Sequence, residues 1–292
     1  MKSDGDQEGL DIETALVDIP GLRELLERVV AACDGAGADM FIVGALARDL
    51  LLEHAHGIEV PRTTRDVDVA VAVSGWAVYD DLKETLLRDH GFENDVQKQR
   101  LVAPSGTALD LVPFGGVADV EGRAGFPPEG TPAMTVLGFP EARSAAIPVR
   151  FDQTLTVDVA SLEGLGLLKL IAWADRPHAR TKDAQDLCFV MREYYDARRD
   201  LVVRRHSDLF DEEAFDRDVA SARIYGREVA TLMRESPDLQ GHLRTILHRQ
   251  TQDLEDSPLA RAMGRQCTPQ YDRRVRLVTG LATGIREGVR TP

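Results

Sequence analysis

Aromatic residues make up only 5% of this 292-residue chain, which argues against a surface built on stacked bases. Nowhere do 18 apolar residues follow one another, so no membrane span is expected. The first residues, Met1 to Gly9, are acidic and polar, without the basic start and apolar middle of a signal peptide. Cysteine is scarce: Cys33, Cys188 and Cys267 are far apart and odd in number. They are read as neither a disulfide framework nor a metal knuckle, which points to the cytoplasm. Lysine is rarer still relative to its partner cation, five residues against thirty arginines, a bias with no functional reading of its own.

What is present is apolar bulk and unevenly placed charge. Hydrophobic residues are 43% of the chain, enough for a sizeable core and for two domains. The net charge is -14, yet residues 193–292 hold 17 Arg and no Lys against 17 acids. The whole excess of acid therefore lies in residues 1–192, and a polyanion would more easily meet the arginines of the second part. Along the chain, residues 1–18 read as an acidic tail. Residues 19–160 alternate strand and helix patterns, and residues 161–292 read as helices. The expected fold class is α+β, a mixed sheet flanked by helices and followed by a mainly helical domain. Within the first part, a strand is expected over Asp39–Gly44, a helix over Ala45–His54 and a strand over Asp66–Val73. A hairpin turning at Ser105-Gly106 joins strands at Arg100–Pro104 and Ala108–Phe114, and 117–132 reads as loop.

The chemistry concentrates in Thr64-Arg-Asp-Val-Asp-Val-Ala-Val-Ala-Val73. A strand's period of two puts Asp66 and Asp68 on one face and Val67, Val69, Val71 and Val73 on the other. Adjacent carboxylates repel each other, and a hard divalent cation between them relieves that cost. Asp110 is a third acid in the neighbouring apolar strand Ala108-Leu-Asp-Leu-Val112. Three such acids suit two magnesium ions roughly 3.5–4 Å apart. An Asp-x-Asp strand taken alone also describes a solvated edge. The context adds weight: Phe41-Ile-Val-Gly-Ala-Leu-Ala-Arg-Asp49 reads as strand, glycine turn and helix start. Gly44 and Ala45 would offer backbone N–H groups to phosphate, and Arg48 a charge-assisted contact.

On Gly44, Asp66, Asp68 and Asp110 the chain resembles the nucleotidyltransferase superfamily of the DNA polymerase beta type. Within it the resemblance is closest to the AbiEii/AbiGii-like toxin nucleotidyltransferases. Ala45 stands where a serine is frequent, which removes one hydroxyl donor. Two later segments carry the resemblance further: Lys169-Leu-Ile-Ala-Trp-Ala-Asp-Arg176 and Lys182-Asp183-Ala-Gln-Asp186. It implies a magnesium-dependent enzyme that moves a nucleotide from a nucleoside triphosphate to a hydroxyl and releases pyrophosphate. It further implies that Lys169 meets the triphosphate, that Asp186 shares in catalysis, and that Arg176, Lys182 and Asp183 lie nearby. The implied acceptor is RNA, at the 3′ end of tRNA, and the implied partner a cognate antitoxin. A protein hydroxyl or a small molecule such as an aminoglycoside is the alternative acceptor. A non-catalytic nucleotide-binding module is a third reading, against which the intact acids speak. Arg198, Arg199, Arg204 and Arg205 form the densest basic run, a solvated helix end or an RNA-backbone contact.

Overall fold

The two periods of the sequence, two and then 3.6, become a sheet and then a stack of helices. The computed structural model describes residues 10–62, 64–211 and 215–290, which divide after Ser161 into two compact units. The first unit holds β1 (Leu10–Ile12), α1 (Leu22–Ala36), β2 (Asp39–Val43) and α2 (Gly44–Asp49), which runs on into a wider turn at Leu50–His54. There follow β3 (Val67–Val73), α3 (Trp76–Asp89), β4 (Glu93–Asn94), β5 (Arg100–Val102) and β6 (Ala108–Gly115). Then come β7 (Arg123–Gly125), β8 (Ala133–Thr135), α4 (Phe139–Ser144), β9 (Ile147–Phe151) and β10 (Leu155–Val159).

Eight of these strands form one mixed sheet in the order β1-β9-β10-β2-β3-β6-β5-β4, while β7 and β8 pair apart. The central strands are buried on their apolar face, as the run of β-branched residues in β3 requires. Val67, Val69 and Val71 have no exposed surface, nor do Leu109 and Leu111 beside them. Phe41 meets Phe114 edge to face at 5.9 Å on the same sheet. α1 buries Leu22, Leu25, Leu26, Val29 and Cys33, positions spaced for one helix face. Burial pushes the Cys33 thiol up to about 12, so it is held as an unreactive thiol.

The structure corrects three expectations. Residues 10–18 are not a loose tail; residues 1–9 lie outside the described residues. Leu10–Ile12 adds a parallel edge strand to β9, Ile12 is buried, and Asp11 pairs with Arg150. Thr14 then bonds the Asp152 carboxylate through its backbone N–H at 2.8 Å and its hydroxyl at 2.7 Å. Three residues are too few to show a period, which is why this strand was not visible. Within the segment read as loop, Arg123–Gly125 forms β7, which pairs antiparallel with β8 just beyond that segment. The third correction concerns Cys188 and Cys267, which form a disulfide across a sequence separation of 79. Their Cα atoms lie 5.9 Å apart, within the usual span of the bond. No local spacing announces a pair brought together by helix packing.

The second unit is helical: α5 (Leu162–Asp175), α6 (Thr181–Ala197), α7 (Arg199–Arg205), α8 (Arg217–Leu232), α9 (Pro237–Thr251), α10 (Pro258–Cys267) and α11 (Tyr271–Arg290). α5 is apolar on nearly every face and is accordingly buried. Gly166 leaves room on it for Tyr225, whose hydroxyl donates to the Leu162 carbonyl at 2.6 Å. Glycines inside a helix cost stability relative to alanine, so Gly280, Gly284 and Gly288 on α11 need a packing reason. A Cβ at Gly284 would stand 1.9 Å from the Arg223 carbonyl oxygen, and one at Gly288 2.6 Å from that of Arg227. The stripe therefore lets α11 lie backbone to backbone on α8. Gly284→Ala is expected to cost about 3 kcal/mol, the upper end of overpacking, read from the urea midpoint. Gly241→Ala on α9, where nothing lies within 4 Å, is the control and is expected to lose nothing. Equal midpoints for the two variants would remove the close-approach account.

Candidate active site

Asp68 stands at the centre of the sheet because β3 is flanked by antiparallel β2 and parallel β6. Val43 on β2 is its partner on one side and Asp110 on β6 its partner on the other. Pairing in register puts partner side chains on one face, so the Asp68 and Asp110 carboxylates share a side of the sheet. Asp66 lies one residue before β3 begins, with its side chain 49% exposed. β2 ends at Val43 and the chain turns at Gly44, whose φ is +71°. A Cβ there would stand 2.1 Å from Asp68 Oδ2. Glycine is therefore required twice, by the backbone angle and by the carboxylate lying against its Cα. Ala45, next in the chain, is buried.

One residue of the site was not foreseen. Arg100 on β5 is the cross-strand partner of Asp110. Its Nε donates to Asp110 Oδ1 at 2.9 Å and its Nη2 to Oδ2 at 2.7 Å, a bidentate fork. The same Nη2 reaches Asp66 Oδ2 at 3.3 Å. Hydrogen bonding to Asp110 holds the guanidinium pKa above its ordinary value, against the opposing effect of burial. As placed, no group of three or more His, Cys, Asp or Glu side chains among the described residues is arranged to hold one ion. Arg100 bridges two of the acids, its fork closing on Asp110 while Nη2 also reaches Asp66. The donor set itself, carboxylate oxygens only, fits a hard cation such as magnesium, and a positive group already sits on it.

Arg48 is placed elsewhere. Its side chain has no exposed surface; Nε donates to Asp49 at 2.7 Å and Nη2 to the Arg62 carbonyl at 2.8 Å. Its visible work is to tie α2 to the loop that leads into Asp66.

In the helical unit the structure brings three further candidates together. Lys169 on α5 is 6% exposed and Asp186 on α6 is 2% exposed. Lys169 Nζ donates to Asp186 Oδ2 at 2.7 Å and to Asp183 Oδ1 at 3.4 Å. Lys169 is thus an internal counter-ion to two acids. Arg176 and Lys182, in and after the turn between α5 and α6, are exposed. The basic run of α7 is largely matched by acids: Arg198 approaches Glu163 at 3.9 Å, Arg199 Asp196 at 3.6 Å and Arg205 Glu228 at 3.6 Å.

A mixed sheet with helices, a glycine turn against one strand acid and a second acid in register defines the nucleotidyltransferase class, an enzyme class. The chain belongs to the family described as "Nucleotidyl transferase AbiEii toxin, Type IV TA system", whose sequence model matches residues 25–272. No curated relative matches it. Among solved structures it is similar to the antibiotic-resistance factor ANT(2'')-Ia in solution, with 13% identity and a TM-score of 0.34. That similarity covers 65% of this chain and 96% of the other. It is also similar to a CCA-adding enzyme in an apo form, with 14% identity over 84% of this chain and 66% of the other, at a TM-score of 0.28. Both structural likenesses are faint. No helix among the described residues is long and apolar enough to cross a membrane.

Proposed function

We propose that this nucleotidyltransferase moves a nucleoside monophosphate from a nucleoside triphosphate to the 3′ hydroxyl of an RNA, tRNA being the first candidate. The observation that carries the reading is Asp68, pressed against Gly44 and in register with Asp110. Asp66, Asp68 and Asp110 would hold magnesium, which when bound would stabilise the charge on the triphosphate and the departing pyrophosphate. The residues do the rest. The turn at Gly44 would present the N–H groups of Gly44 and Ala45 to the phosphates, while the missing Cβ of Gly44 leaves room for the Asp68 carboxylate beside them. The acceptor oxygen attacks the α-phosphorus, its bond forms as the bond to the bridging oxygen breaks, and pyrophosphate leaves. Asp110 takes the proton of the attacking hydroxyl. Holding the hydroxyl and phosphorus in line supplies much of the rate.

An RNA acceptor is supported by Arg176, Arg180 and Lys182, three exposed cations within seven residues, of which Arg176 lies 3.4 Å from Asp175 and Arg180 3.5 Å from Asp183. The family's description supports a cognate antitoxin as partner, and the need for triphosphate supports the cytoplasm. The test is label transfer: purified protein, magnesium and each α-labelled triphosphate are incubated with total RNA and, separately, with cell extract. Label in the tRNA band is the expected result. Label in protein or in small molecules instead overturns the RNA acceptor, and no label with any acceptor overturns the transfer reading.

A further inference from the structure

We propose that Arg100 is a built-in counter-cation of the acid site: it competes with the divalent metal for Asp66 and Asp110, so that free metal ions are refused. The inference rests on the metal reading above and deepens it.

Three observations carry it. The first is occupancy. The Arg100 fork engages both Asp110 oxygens, at 2.9 and 2.7 Å, and reaches Asp66 at 3.3 Å. Those carboxylates are the ones a metal ion would need, and a guanidinium and a divalent cation cannot both take the same lone pairs at contact distance. The second is permanence. An arginine stays charged at every pH a protein tolerates, so loss of its proton never lifts the competition. Only a second cation or a competing anion can draw it off. A triphosphate is such an anion, and the enzyme's own substrate. The third is mounting. The Arg100 backbone is fixed by pairing with Asp110 and by its N–H donating to the Gln97 carbonyl at 2.9 Å. Its side chain keeps 23% of its surface exposed. A fixed stem with a wet head can swing without disturbing the sheet.

The consequence is ordered entry. Without nucleotide, the single charge of Arg100 offsets part of the negative charge on Asp66 and Asp110, so a stray metal ion finds a weaker site. With nucleotide, the phosphates receive the guanidinium while the metal receives the acids.

The experiment titrates Mn2+, as a probe for magnesium, into the full chain and reads free ion by electron paramagnetic resonance. It is done with and without an α,β-methylene triphosphate analogue, which binds without reacting. Arg100→Gln, which keeps the stem as far as Cδ and a polar end while removing the charged fork, should bind Mn2+ alone at least tenfold more tightly than the unaltered protein. Arg100→Lys, whose single ammonium cannot span two acids, should fall between them. If Arg100→Gln does not fold, as judged by circular dichroism, Arg100→Lys alone must still bind Mn2+ more tightly than the unaltered protein. Unchanged or weaker Mn2+ binding in the folded variants overturns the proposal, because Arg100 would then only order the acids. If the unaltered protein binds Mn2+ with the analogue while the variants gain nothing without it, this inference alone falls. If neither the unaltered protein with analogue nor any variant binds Mn2+, the metal reading falls as well.

Discussion

Asp68→Asn is expected to leave a folded protein whose label transfer is slower by about a thousandfold, the scale of losing one preorganised electrostatic group at a reacting centre. The substitution is nearly isosteric, so the close fit against Gly44 survives. Asparagine keeps one oxygen and replaces the other with an amide that donates and carries no charge. Asp68 is the acid with the fewest substitutes. It lies on the central strand, between Val43 and Asp110, whereas Asp66 precedes the strand and Asp110 already carries the Arg100 fork. Losing it takes away the charge that holds metal against phosphate and leaves the Asp110–Arg100 pair intact. The check is single-turnover transfer beside thermal unfolding. A variant that melts like the unaltered protein and transfers at its rate would sink the metal assignment.

How much of this site was legible follows from the range of each signal. The strand carrying Asp68 was visible because its alternation runs over seven residues with valine at every second place; it begins at Val67, so Asp66, expected as its first residue, stands just before it. Gly44 was visible because an apolar strand ended on it. Arg100 was missed through a single residue of register. A turn centred on Ser105-Gly106 alone sets Arg100 across from Leu111, on the opposite face of the sheet. In the structure Ala103 pairs with Thr107 around Pro104, Ser105 and Gly106: the Ala103 N–H donates to the Thr107 carbonyl at 2.9 Å. Gly106 takes a φ of +83° within that three-residue loop. That one extra residue moves Arg100 opposite Asp110, since a slip of one inverts every side chain.

Arg48 shows the converse. Its place at the start of a helix beside a glycine turn suggested phosphate, yet a fully buried guanidinium needs fixed acceptors. Asp49 and the Arg62 carbonyl supply them from inside the fold. Which acceptor an arginine finds is set by a loop 14 residues away, beyond any local period. The Cys188–Cys267 bond and the Lys169–Asp186 pair were hidden for the same reason: each joins helices whose packing, not spacing, makes the contact.

That last pair carries the second large effect. Lys169→Met is expected to destabilise the helical unit by about 3–5 kcal/mol, the cost of stripping one partner from a buried ion pair. Methionine keeps the aliphatic stem, so the loss reports charge rather than a cavity. Asp186 is 2% exposed and would be left with its negative charge buried. Asp183, at 3.4 Å from the same ammonium, loses part of its compensation too. The double variant Lys169→Met with Asp186→Asn removes both charges of the closer contact and should recover most of the stability. Denaturant unfolding of the four proteins in that cycle gives the coupling directly. A Lys169→Met protein as stable as the unaltered one would mean the ammonium is not needed inside. The double variant also divides structure from chemistry. Should it fold well yet require far more triphosphate for half-maximal transfer, Lys169 serves the nucleotide as well as the fold. Unaltered triphosphate dependence would confine it to holding α5 against α6.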